Sequence, residues 1–106
     1  MFAKTPKPPY YAVIFTAVRT EVDDDYAATS KRMRELAAKV DGYLGIETAG
    51  EGKEITISYW RDLESIQKWR EDTDHQIAKN KGRTDWYSQY VSRIALVEKA
   101  YGFQSS

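Results

Sequence analysis

His75 is the only histidine in 106 residues, and therefore the one side chain that titrates near neutrality unaided. Rings and cations cluster around it in the chain: Tyr59 and Trp60, then Trp69, then Arg83, Trp86 and Tyr87, then Arg93. Histidine serves as a base, a guanidinium holds an oxyanion bidentately, and aromatic rings line sites for flat ligands. Together these types suit a small aromatic or phenolic molecule. His75 is the candidate base, Arg83 the oxyanion partner, and Tyr59 a donor to a substrate oxygen. Trp60, Trp69, Trp86, Tyr87 and Arg93 are candidates for binding it. Tyr59, Trp69, His75, Arg83, Trp86 and Tyr87 are expected to converge on one cavity per subunit, between a sheet and the second helix.

Each has a plainer reading. Trp69 lies at the edge of an apolar stripe, where core packing is the ordinary role, and Tyr59 can cap the same core. Arg83 and Arg93 suit exposed ion pairs. For His75 the carrying helix decides. On an unbroken helix it lies roughly 160° from the apolar stripe, at about 100° per residue. A break and restart within Glu71-Asp72-Thr73-Asp74, which holds capping residues, would turn it towards a pocket.

Other chemistries find no support. Cysteine is absent, which removes disulfides, thiolate catalysis and thiolate-bound metal. One histidine builds no metal site without carboxylate partners, and Asp72 and Asp74 read as caps, so neither metal nor cofactor is expected. There is no nucleophile–base motif, phosphate loop or dinucleotide fingerprint. Sixteen Lys and Arg balance sixteen Asp and Glu, leaving no field to attract nucleic acid or an anionic membrane. No apolar run approaches the ~18 residues of a membrane span. Residues 1–9 hold all three prolines and no signal-type apolar core, so they read as a flexible lead-in to a cytoplasmic protein. Residues 10–103 form one domain, and 104–106 a tail.

The elements that must position these side chains follow from periodicity. Tyr10 to Arg19 is nearly continuous in apolar, β-branched and aromatic residues, as in a central strand covered on both faces. Tyr26, Thr29, Met33, Leu36 and Val40 recur at helical spacing behind Asp23-Asp24-Asp25, predicting a helix from about Asp24 to Lys39 capped by those aspartates. Asp41-Gly42 ends it. Tyr43 to Ala49 and Lys53 to Trp60 read as strands joined at Gly50-Glu51-Gly52. Asp62 caps a second helix bearing Leu63, Ile66, Trp69, Thr73 and Ile77 on one stripe, and a last strand runs roughly from Tyr90 to Tyr101. The order βαββαβ predicts an α+β, ferredoxin-like domain: a four-stranded antiparallel sheet with both helices on one face. The other face stays too apolar for water, which calls for a homodimer.

The segment from Ser58-Tyr59-Trp60 through Trp69, His75 and Ala78 to Gly82-Arg83, Trp86-Tyr87 and Tyr90 resembles the antibiotic biosynthesis monooxygenase superfamily. The resemblance extends over roughly Tyr10 to Tyr101. It implies a dimeric α+β barrel with a pocket between sheet and helices. It also implies, as one outcome, cofactor-independent oxidation of a small aromatic or quinol-like substrate, and as another, a non-catalytic dimeric module that binds a small ligand. The haem-degrading branch of the superfamily would require an asparagine on the first strand and a histidine ten residues beyond the tryptophan matched by Trp69. Lys79 stands at the second position, and the first strand has no asparagine.

Overall fold

The computed structural model describes the backbone of residues 2–23, 25–79 and 83–104, and the side chains of these except 74–79, 83 and 84. The elements follow the order β1 (Tyr10–Arg19), α1 (Tyr26–Ala38), β2 (Tyr43–Ala49), β3 (Lys53–Trp60), α2 (Leu63–Lys79), a one-turn α3 (Arg83–Trp86) and β4 (Tyr87–Val97). The strands form a single sheet in the order β2-β3-β1-β4, with every neighbouring pair antiparallel. This is the ferredoxin-like arrangement expected from the sequence.

The last strand is displaced from its expected place, beginning at Tyr87 and ending at Val97. Its register with β1 gives the reason. Val97 lies opposite Tyr10, the first residue of β1, so beyond it no partner strand remains, however β-prone the residues that follow. The start of α1 also departs from expectation. Asp25 takes the N-cap position with a left-handed backbone (φ 60°), and its side chain makes no capping bond. A capping side chain works from an extended backbone, which aims its oxygen at the first turn. Asp23 instead accepts a 2.7 Å bond from Arg19 Nη2. The start of α2 behaves as expected: Asp62 Oδ1 accepts the Ser65 amide at 2.8 Å. The helix then continues without interruption through 71–74, so the restart does not occur.

The core lies where the C-terminal part of α1, the first turns of α2 and the middle of the sheet meet. Val13, Ala37, Trp60 and Ile66 are buried there, with Tyr11, Val40, Tyr43 and Trp69 packed around them. Strand alternation decides the rest. Along β3, Glu54, Thr56, Ser58 and Trp60 point towards the helices, while Ile55, Ile57 and Tyr59 point away. The inward face of this strand is therefore its polar one. Ile55, on the outward face, is 42% exposed. Residues 2–9 carry no helix or strand, and two of them touch the sheet. The Ala3 amide donates to Glu47 Oε2 at 2.8 Å, and the Thr5 hydroxyl to Tyr10 at 3.0 Å.

Candidate functional site

A cavity of about 610 Å³ opens between the sheet and the helices. That volume falls within the range of small-molecule sites, roughly 300–1,000 Å³. Its floor is the inward face of the sheet, with Val13, Phe15, Ile46, Thr56 and Ser58. Tyr26, Ser30, Met33 and Arg34 of α1 form one wall, and Trp69 and Thr73 of α2 a second. Trp86 and Tyr87 close one end. Among the described residues, then, both helices line the cavity.

Among the described residues, two polar atoms in this wall lack partners. Trp69 Nε1 and Thr73 Oγ1 are buried and make no hydrogen bond. Thr73 is only 2% exposed. Leaving such groups unpaired costs on the order of 1–3 kcal/mol each, a cost a bound molecule can offset.

At the other end lies a connected polar cluster. Tyr26 donates to Glu54 Oε2 at 2.9 Å, and its oxygen lies 3.1 Å from the Tyr87 hydroxyl. The Arg19 guanidinium stacks 3.4 Å from the centre of the Tyr26 ring and lies 3.7 Å from Glu54 Oε1. The rings of Tyr26, Trp86, Tyr87 and Phe15 meet edge to face. Burial pushes the phenols of Tyr26 and Tyr87 above their ordinary pKa. Both therefore stay protonated at neutral pH.

Of the eight residues expected to form the site, Trp69, Trp86 and Tyr87 line the cavity together. Trp60 does not: it is fully buried in the core, packed on Tyr43 and Trp69, with its indole N–H donated to Ser58 at 2.9 Å. The end of β3 falls where both helices cross the sheet, which leaves that ring no ligand to face. Tyr59 lies on the opposite face of the sheet, where alternation puts it beside Tyr10, and donates to Glu47 Oε1 at 2.7 Å. Burial, helped by that carboxylate, pushes its pKa up to about 12. Arg93 pairs with Ile14 across β4 and β1 and is exposed, away from the cavity. The side chains of His75 and Arg83 lie outside the described residues.

Tyr26, Glu54, Arg19 and Thr73 were absent from the expected set. A signal for Glu54 existed. In Lys53-Glu54-Ile55-Thr56-Ile57-Ser58 the polar residues share the phase of Trp60, so a core-facing Trp60 forces a carboxylate to face inward too. No described set of three or more His, Cys, Asp or Glu could hold a metal ion, and no described helix is long and apolar enough to cross a membrane.

The model of the antibiotic biosynthesis monooxygenase family matches residues 9–81, the stretch that carries the cavity floor and the whole of α1 and α2. The chain belongs to that family. Among curated relatives, YqjZ of Bacillus subtilis is 48% identical over 106 residues, spanning 98% of this chain and 93% of that protein. The jasmonate monooxygenase ABM of Pyricularia oryzae is 30% identical over 92 residues. That match covers 82% of this chain but only 43% of the fungal protein, so the chain spans less than half of it. Among solved structures, SnoaB, a cofactor-independent oxygenase from Streptomyces nogalater, superposes with a TM-score of 0.62 at 8% identity. The superposition covers 92% of this chain and all of that one, and at such identity it shows the fold alone. This member of the antibiotic biosynthesis monooxygenase family thus carries its cavity on the family's own scaffold.

Proposed function

We propose that this protein is a cofactor-independent monooxygenase of a small aromatic or quinol-like substrate, bound in the cavity between the sheet and the helices, and that it acts as a homodimer. The observation that carries the reading is the pair of buried, unpartnered polar atoms, Trp69 Nε1 and Thr73 Oγ1, in the wall of a cavity large enough for a ring system. Family membership and the oxygenase relatives support it. The chemistry needs no bound cofactor when the substrate is electron-rich. A base removes a proton, and the resulting carbanion or phenolate reacts with O₂. In an anthrone, for example, one oxygen atom converts the ring CH₂ to C=O and the other leaves as water. Within this proposal His75 is the base and Arg83 the oxyanion partner, while Trp69 and Thr73 hold a substrate oxygen.

The dimer is supported by the apolar outward face of β3 and by β4, an edge strand with Val91, Ile94 and Leu96 all at least 40% exposed. An exposed apolar edge strand is a template for a second chain. Oxygen consumption with a panel of hydroquinones and anthrones, without added cofactor, tests the function. Uptake with at least one member supports it. Quenching of tryptophan fluorescence without oxygen uptake would favour a ligand-binding module on the same cavity.

A further inference from the structure

The cluster at the Tyr87 end of the cavity has a defined hydrogen-bond direction. A carboxylate oxygen only accepts, so the 2.9 Å contact between Tyr26 and Glu54 uses the single hydroxyl proton of Tyr26. Tyr26 therefore has only lone pairs left for Tyr87 at 3.1 Å, and the proton in that bond comes from Tyr87. Among the described residues the Tyr87 hydroxyl makes no other hydrogen bond. With its proton committed, Tyr87 offers the cavity an acceptor and nothing else. Arg19 Nη1 lies 3.7 Å from the second carboxylate oxygen of Glu54 and completes the cluster.

On the α2 side of the cavity the Thr73 hydroxyl can donate or accept, and the indole beside it can only donate. Trp69 Nε1 has no partner. Trp69 packs on Trp60, which bonds Ser58, and Ser58 is four residues along β3 from Glu54. Glu54 and Ser58 are thus roughly 13 Å apart along the strand, at about 3.3 Å per residue.

We propose that Glu54, acting through Tyr26 and Tyr87, makes this end of the cavity select a ligand that presents a hydroxyl there and an acceptor oxygen, such as a carbonyl, towards Trp69. The ligand class is a ring compound that carries a free hydroxyl. The inference rests on the reading of the cavity as the ligand site, and it assigns positioning roles to Glu54 and Tyr26. Their raised phenol pKa values, caused chiefly by burial, keep both tyrosines protonated and the chain of bonds intact.

Three matched probes test it: a hydroxytetralone with its phenolic hydroxyl on the ring remote from the carbonyl, the methyl ether of that compound, and the parent tetralone. Affinities are read by quenching of tryptophan fluorescence, since Trp69 and Trp86 both line the cavity. The wild type should bind the hydroxytetralone about tenfold or more tightly than the other two, as one buried hydrogen bond left unmade would require. Glu54→Gln can donate to Tyr26 and release the Tyr87 proton, so the gap should close to about twofold. Tyr87→Phe should close it as well. A merely structural role for Glu54 would weaken all three probes together and leave the ratio unmoved, which overturns the inference. Equal affinities in the wild type overturn it too, while the cavity reading stands. No binding by any probe overturns both.

Discussion

The rings of Trp60 and Trp69 lie 5.1 Å apart and 30° from parallel, yet they do different work. Trp60 is wholly inside the core with its N–H satisfied, whereas Trp69 packs against that core on one side and faces the cavity with an unsatisfied N–H. Replacing each should separate stability from binding. Trp60→Ala should destabilise the fold by about 3–5 kcal/mol, as for other large-to-small core changes. Trp69→Phe keeps most of the packing and loses the donor. It should leave the denaturant midpoint little changed and weaken binding of a carbonyl probe by about tenfold. Urea melts and fluorescence titration, side by side, measure both.

The outward face of the sheet gives a second expectation. At micromolar concentration the protein should sediment at twice the monomer mass. Ile55 is 42% exposed on that face, so Ile55→Glu should cost the monomer fold little while desolvating a charge in the interface. That variant should sediment as a monomer with an unchanged far-ultraviolet spectrum. A wild type that sediments as a monomer contradicts the dimer.

Acid should loosen the start of α2. The Ser65 hydroxyl and amide, with Arg61 beside them, hold the Asp62 carboxyl down at about 2, against an ordinary 3.8. A depressed acid stabilises the fold above the unfolded value and loses that contribution as pH falls through the folded one. The gap in Tm between wild type and Asp62→Ala should therefore be full at neutral pH and shrink as pH drops from 3.8 towards about 2.

Alkali acts through the phenols. Four of the eight tyrosines, Tyr26, Tyr43, Tyr59 and Tyr87, are held above their ordinary value of 10.0, chiefly by burial. In the unfolded chain they ionise near 10.0, so stability is complete below that pH and falls as pH rises towards about 12, the value for Tyr59. Difference absorbance should show part of the phenol signal appearing together with unfolding. Tyr59→Phe should make the alkaline loss of stability shallower.

His75→Ala tests the proposed base. Oxygen uptake with a substrate from the hydroquinone and anthrone panel should fall by at least tenfold, with Tm little altered, since general-base catalysis contributes about 10²–10⁴ in rate. Unchanged uptake would remove His75 from the mechanism.

Much of this protein was legible in one dimension because it depends on local periodicity. Both hairpin strands, β1 and the Asp62 cap follow from alternation and from capping chemistry, which act within a few residues. The polar phase of β3, with Glu54 on the side of Trp60, was also in the text. What the sequence determined was which residues share a face. Only the tertiary structure decided which face is covered, and how closely. Trp60 became core and Trp69 a boundary residue because two helices cross the sheet at the end of β3, and Tyr59 was carried to the far side by a one-residue offset. β4 stopped at Val97 because β1 has no residue before Tyr10 to pair with it. The bond from Tyr26 through Glu54, and the second to Tyr87, join residues 28 and 61 positions apart, distances over which no local rule operates. Such contacts depend on how α1 lies over the sheet, and that is set by packing of the whole chain.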